Sequence, residues 1–304
     1  MITAEKVSKN FDGAAALSNV SCTIPNGSVY GMVGSNGAGK STFLRILCGV
    51  YKADDGTVSA DGESVYENPK VKSQIAFVPD ELFFPAGASL ETMGKNYANI
   101  FRDFDKERYQ ELTKEFELPF KRPIGTFSKG MKRQAAITLA LARKPKYLLF
   151  DETFDGLDPI VRNYAKSIIM NDVSERNASA VITSHSLREL EDTCDQLMLL
   201  HKGGIVLESE VTNLKTSLFK IQIAFNFPYD ESLFENINIV KFSKSGAVSN
   251  IIVRGDRDEV TRRLAVLSPV IIDILPLTLE EVFTYEMEAL GYDFISQKEE
   301  MSHE

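Results

Sequence analysis

The chain has 304 residues, with 34 Lys plus Arg against 43 Asp plus Glu, a formal charge of −9 and a sequence pI near 5.1. At roughly 150 residues per domain, that length predicts about two domains, and an apolar fraction of 43% excludes disordered, collagenous and mini-protein classes. The acidic balance argues against a protein that coats nucleic acid, because phosphate binding needs a positive field.

Taken in chain order, Val20, Cys22 and Ile24 alternate with polar residues until Pro25-Asn26-Gly27-Ser28 turns the chain, and an apolar run over residues 29–33 follows. Both predict strands. The run leads into Gly34-Ser35-Asn36-Gly37-Ala38-Gly39-Lys40-Ser41-Thr42, after which Phe43, Leu44, Ile46 and Leu47 form a helical stripe closed by Gly49. The glycine segment therefore joins a strand to a helix. From Pro85 to Pro123 the pattern is helical, with charges dense over residues 102–114, as expected of a small solvated helical subdomain spanning about 85–145. Next the pattern predicts a helix from about Lys129 to Arg143, a strand over 147–150 ending in Asp151-Glu152, a helix around 160–173 and a buried strand over 180–183 ending at Ser184-His185. Alternating strand and helix predict a mostly parallel sheet covered on both faces.

Near Ser209 the character shifts, which divides the chain into residues 1–209 and 210–304. Phe219, Ile221, Ile223 and Phe225 alternate with Lys220, Gln222 and Ala224. Strand-like runs over 239–242, 248–253 and 270–275 surround a helix at 258–267, and Thr278 with Glu281 forms a capping box for a last helix. Leu279, Val282, Phe283, Met287 and Leu290 line one face of that helix until Gly291, and the tail 297–304 is expected to fray. This part is predicted to be a small α+β domain without a second active site.

Two segments carry chemistry on their own. Gly34-x-x-x-x-Gly39-Lys40-Ser41 is a phosphate-binding loop pattern, in which glycines let backbone N–H groups wrap phosphates at a helix N-terminus. Lys40 then neutralises β and γ oxygens, and the Ser41 hydroxyl ligates Mg²⁺. Hydrolysis needs a second metal ligand and a group that orients water. The strand ending in Asp151-Glu152 supplies both beyond the carboxyl edge of the sheet, Asp151 for Mg²⁺ and Glu152 to polarise water.

Further segments follow in a telling order: Phe11; Asp80 in Phe77-Val78-Pro79-Asp80; Phe127-Ser128-Lys129-Gly130-Met131; Asp155-Gly156-Leu157-Asp158-Pro159; and His185. With the two motifs above, they resemble the nucleotide-binding subunit of ATP-binding-cassette transporters over roughly residues 1–209. The resemblance implies an α/β fold of the P-loop NTPase type, with antiparallel N-terminal strands beside the parallel sheet. It also implies ATP and Mg²⁺ as ligands. By the same analogy Phe11 stacks on adenine, residues 34–42 hold the phosphates, Asp80 sits where a glutamine normally touches metal and water, and His185 is the switch histidine. Ser128 and Gly130 of a variant signature, with Asp158 of the D-loop, then meet the nucleotide of a second, head-to-tail cassette. Taken singly, Ser128 is more commonly a helix N-cap, His185 a polar strand end and Phe11 core.

Three positions depart from the family pattern: Asp80 for glutamine, Lys129 for glycine and Met131 for glutamine. A carboxylate at position 80 is expected to repel a γ-phosphate unless Mg²⁺ intervenes. Leu82, Phe83 and Phe84 lie where the family docks a helix of its membrane subunit, and filling the helical subdomain's own core is the competing reading. The final helix is similar to the tail of the branch whose membrane partners are separate polypeptides, often exporters of peptides, antibiotics or lipids. Dimer contact, regulation and passive packing all stand as roles for it.

Cys22, Cys48 and Cys194 are an odd number in no C-x-x-C pair, and with three histidines they predict a reducing compartment without disulfides or zinc. No apolar signal core or span of ~20 residues is found, so the expectation is a cytoplasmic chain, peripheral on the membrane through its partner. The competing class is a soluble cassette ATPase acting on ribosomes or DNA. Only Gly94-Lys95 offers a further Gly-Lys pair outside the loop, without the spacing of a second phosphate loop, and no long insertion separates Asp80 from Ser128. A P-loop kinase or GTPase leaves the signature and D-loop segments unexplained.

Overall fold

The computed structural model describes residues 1–289, arranged as two compact units, Met1–Ser209 and Glu210 onward. In the first unit, β1 (Ile2–Phe11) and β2 (Ala14–Ile24) form an antiparallel hairpin whose turn residues, Asp12 and Gly13, both have positive φ, as tight hairpins require. β3 (Val29–Val33), α1 (Lys40–Leu47), β4 (Asp55–Ala60), β5 (Glu63–Ser64), α2 (Pro69–Ser73) and β6 (Ile75–Val78) follow. β4 pairs with β1 and β5 with β4, so the first sheet runs β2-β1-β4-β5 and is antiparallel throughout.

Three helices come next: α3 (Leu90–Ile100), α4 (Lys106–Glu115) and α5 (Lys129–Ala142). Each starts on a side-chain cap, respectively Ser89, Asp105 and Ser128, which accepts a backbone N–H of the first turn. The chain then alternates through β7 (Tyr147–Phe150), α6 (Pro159–Arg176), β8 (Ser179–Ser184), α7 (Leu187–Glu191), β9 (Gln196–His201) and β10 (Gly204–Glu210). The second sheet has the order β10-β9-β3-β8-β7-β6, and the pairs β3/β9, β3/β8, β7/β8 and β6/β7 are parallel. Because β3, β8 and β7 are neighbours pointing the same way, the segments leaving their carboxyl ends emerge side by side.

One core fills the space between the two sheets. Ile2, Val7, Val20 and Ile24 face Met32, Leu149, Val181 and Met198, with Phe43, Leu44 and Leu47 of α1 buried among them. α1 is thereby fixed by apolar packing on its long side, which leaves its N-terminus to the glycine loop. Cys22, Cys48 and Cys194 are free thiols, all buried. No helix among the described residues is long and apolar enough to cross a membrane.

The second unit contains α8 (Val211–Ser217), β11 (Leu218–Ala224), β12 (Ile239–Ser245), β13 (Val248–Arg254), α9 (Arg257–Val266), β14 (Ile271–Leu275) and α10 (Leu279–Ala289). Its antiparallel sheet, β12-β13-β11-β14, buries Phe219, Ile221, Ile223, Ile251 and Val253 against Val260 and Leu264 of α9. The expected capping box forms: Thr278 N–H donates to Glu281 Oε2 at 2.8 Å and Glu281 N–H to Thr278 Oγ1 at 3.3 Å. Leu290, Gly291 and the expected fraying of 297–304 lie outside the described residues.

Candidate active site

The glycine loop leaves β3 and turns into α1 through Gly39, the helix N-cap, which holds φ +106°. A Cβ there would lie 2.5 Å from the Ala16 carbonyl oxygen, so backbone angle and space both demand glycine. Gly34 is required for space alone: its Cβ would fall 2.4 Å from the Leu200 carbonyl oxygen. The loop and helix start, Ser35, Asn36, Gly37, Ala38, Gly39, Lys40, Ser41 and Thr42, line a pocket of about 360 Å³ together with Ala16, Asp80 and Glu152. Lys40 is buried. Its Nζ donates to the Gly34 oxygen at 2.6 Å and the Ser35 oxygen at 3.3 Å, and lies 3.1 Å from Glu152 Oε1. A phosphate oxygen therefore competes with Glu152 for this ammonium.

Asp151 leaves β7 beneath the loop and is fully buried. Its Oδ1 accepts from Thr183 Oγ1 at 2.9 Å, and Thr183 Oγ1 in turn accepts the Glu152 N–H at 2.9 Å. Burial pushes the Asp151 carboxyl up, and the Ser41 and Thr183 hydroxyls oppose the rise. Asp151 Oδ2 is buried with no hydrogen-bond partner of normal geometry. A buried carboxylate oxygen without a donor beside a serine hydroxyl is a donor set of hard oxygens, and it fits Mg²⁺.

Glu152 itself has φ +43°, a left-handed backbone that costs a non-glycine residue about 1–2 kcal/mol. The turn it opens closes by the Asp155 N–H donating to the Glu152 oxygen at 3.2 Å. His185, exposed beyond β8, places Nδ1 3.2 Å from Asp155 Oδ2. Glu152, Asp155 and His185 bring ligand atoms within 4.8 Å of one another. Burial and the neighbouring Glu189 push the Asp155 carboxyl up, while His185 pulls it down.

The other expected residues lie apart from this pocket. Phe11 is 40% exposed, with its ring edge-on to Tyr51 at 5.5 Å and Lys9 Nζ 5.4 Å from its centroid, so it is not core. Ser128 is exposed and caps α5, its Oγ accepting the Met131 N–H at 3.2 Å. Gly130 faces the Gly156-Leu157 turn of its own chain, the contact a Cβ would make lying at 3.7 Å. Asp158 caps α6, its Oδ1 accepting the Ile160 and Val161 N–H groups at 3.1 Å each. The Leu-Phe-Phe cluster splits: Leu82 and Phe84 are half-buried, Phe83 is 87% exposed, and Leu90 and Met93 are core.

Asp80 reaches the pocket, and its Oδ1 accepts from Arg133 Nη2 at 2.6 Å, so a guanidinium stands beside the carboxylate that is expected to face phosphate and metal. Arg133 and Thr183 are the two residues that sequence reasoning missed. Thr183 sits at the end of an apolar run, and Arg133 lies between Lys132 and Gln134 at the polar start of α5, where it reads as part of a solvated helix face.

A protein-family model described as ABC transporter matches residues 17–155. YtrB of Bacillus subtilis (strain 168), an ABC transporter ATP-binding protein, is 31% identical over 283 residues, covering 93% of this chain and 97% of that one. The chain belongs to the ABC transporter ATP-binding proteins. LptB of Haemophilus influenzae, a lipopolysaccharide export system ATP-binding protein, is 31% identical over 68% of this chain and 89% of its own. The dimeric, post-hydrolysis structure of the cassette MJ0796, bound to ADP and Pi, superposes with a TM-score of 0.62 at 22% identity, over 69% of this chain and 99% of that one. As an ABC ATP-binding protein, the chain binds ATP and couples its hydrolysis to transport. The membership excludes the kinase and GTPase readings and decides against the ribosome- or DNA-associated class.

Proposed function

We propose that this ABC ATP-binding protein is the motor of an exporter, working as a head-to-tail nucleotide-sandwich dimer docked on separate membrane subunits at the cytoplasmic face of the membrane. The observation that carries the dimer is the position of the signature. Ser128 is exposed at the tip of α5 and is not among the residues that line the Lys40 pocket, so it has nothing to do for the nucleotide of its own chain. A helix N-terminus presenting N–H groups is suited to the γ-phosphate held by a second copy. The dimeric arrangement of the MJ0796 cassette and the export role of LptB support this reading.

Within one site the geometry supports the following steps. Backbone N–H groups of residues 35–41 cradle the phosphates, and Lys40 shifts from Glu152 toward the β and γ oxygens. Ser41 and Asp151 would hold Mg²⁺, whose charge offsets that of the phosphate oxygens. Glu152, released from Lys40, accepts a proton from water as the water oxygen bonds to γ-phosphorus and the bond to the bridging oxygen breaks. His185, braced by Asp155, contacts the γ-phosphate at the open side of the pocket. Asp158 adds a contact from the D-loop of the opposite copy, and Phe11 stacks on adenine.

The test is Glu152→Gln. ATP binding is expected to persist, turnover to fall ~10²-fold or more, and an ATP-dependent dimer to accumulate in size-exclusion chromatography. A wild-type rate removes Glu152 from the reaction, and a strictly monomeric E152Q protein at saturating ATP removes the sandwich.

A further inference from the structure

Arg133 is the largest fully buried side chain among the described residues, 2% exposed, and none of the motifs accounts for it. It lies in the second turn of α5. From there Nη1 donates to the Glu152 carbonyl oxygen at 2.6 Å and also to the Asp155 carbonyl oxygen, while Nη2 donates to Asp80 Oδ1 at 2.6 Å. The two carbonyls are the first and last of the turn that carries Glu152, so one guanidinium nitrogen spans the turn that the Asp155 N–H closes. That turn holds a non-glycine residue at φ +43°, a conformation that persists where the surroundings impose it. The planar fork of arginine meets three acceptors in one orientation, which a lysine cannot do. Asp80, 45% exposed at the pocket rim, fixes the other edge of the fork.

We infer that Arg133 is a positioning residue for hydrolysis, setting the backbone turn that aims Glu152 at the γ-phosphate and tying that turn to the signature helix, with Asp80 as its anchor in place of a metal role. Ser128 lies five residues before Arg133 on α5, roughly 7 Å along the helix axis. A displacement of the helix tip by the opposite copy's nucleotide therefore reaches the cis Glu152 turn through a rigid element and one guanidinium. This inference rests on the reading of Glu152 as the group that activates water. It explains the departure at position 80: a carboxylate, unlike an amide, gives the guanidinium a charged partner.

The experiment compares Arg133→Met, Arg133→Lys, Asp80→Asn and Glu152→Gln, and the double variant R133M/E152Q, in the full-length chain, with steady-state ATPase kinetics and equilibrium binding of a fluorescent ATP analogue. R133M is expected to lower kcat about 10- to 100-fold with the affinity for the analogue within about twofold, because misplacement of a catalytic group by ~1 Å costs that much. R133K is expected to fall between R133M and wild type, and D80N to lose only about two- to fivefold, since both carbonyl contacts survive it. In the double variant, R133M should cost less than about threefold beyond E152Q alone, because a residue acting through Glu152 has nothing left to position. Wild-type kcat in R133M overturns the inference, as does an undiminished further loss in the double variant. So does a loss of nucleotide affinity equal to the loss of kcat, which marks a merely structural residue. If R133M does not fold, unchanged kcat in both R133K and D80N overturns it. A wild-type rate in E152Q overturns the reading of Glu152 instead, whatever Arg133 does.

Discussion

The proposed adenine contact of Phe11 rests on what that side chain leaves unburied. It ends β1 at the rim of the antiparallel sheet, where Tyr51 braces the ring edge and Lys9 keeps a cation near it, leaving two-fifths of the residue exposed. An aromatic ring with an exposed face and a fixed edge is prepared for stacking at small entropic cost. Stacking of a base on such a ring is worth about 1–3 kcal/mol. Phe11→Ala is therefore expected to raise the KM for ATP about 5- to 150-fold with kcat within twofold, and Phe11→Tyr to keep wild-type KM; steady-state kinetics across an ATP titration check both. The placement of Lys40, Ser41 and Asp151 beside the glycine loop was legible in sequence, because each sits at a fixed spacing from a strand end or helix start. The partners of Asp80 were not, since Arg133 is 53 positions away and meets it only through the fold.

At the scale of elements, the turn between β4 and β5 is tied to the start of β7 by a single carboxylate. Asp61 accepts from Lys146 Nζ at 2.6 Å and from the Tyr147 hydroxyl at 2.9 Å, joining the antiparallel sheet to the parallel one. Burial pushes the Asp61 carboxyl up, but hydrogen bonds from Lys146, from the Met1 ammonium at 2.7 Å and from Tyr147 outweigh it and bring the pKa from 3.8 down to about 2. A carboxylate whose pKa is lower in the folded chain stabilises the fold above its unfolded value and loses that contribution as pH falls through its folded value. A shift of this size in a part-exposed group, discounted for solvent screening, is worth about 1 kcal/mol. Asp61→Asn should thus unfold at lower urea than wild type at pH 7, and the two proteins should converge between about pH 4 and pH 2. The elements themselves were largely readable. β3 and β7 fall where their apolar runs predict, and α5 starts at Lys129 because Ser128 caps it. The short α2, α7 and α8 lacked a distinct pattern, since helices of one or two turns carry too few residues for a period to show.

For the whole molecule, docking on a membrane subunit needs a surface that the chain does not use for its own core. Phe83 answers that description, while its neighbours Leu82 and Phe84 are partly committed and Leu90 and Met93 wholly so. Sequence could not separate these residues because apolar character is the same on both sides of a surface. Phe83→Asp should leave ATPase activity of the isolated chain within twofold of wild type and abolish co-purification with the membrane polypeptide from its own cells, compared by affinity capture of the two proteins side by side. The buried thiols have a practical corollary for such measurements. Burial holds Cys22 and Cys194 at a pKa of about 12 and Cys48 at about 11, so the native chain carries almost no thiolate and offers no sulfur to a reagent in solution. A cysteine introduced at Ser128 or Phe83 can then be labelled with maleimide against a silent background, and fluorophores there can report clamp closure and docking without removal of a single native sulfur.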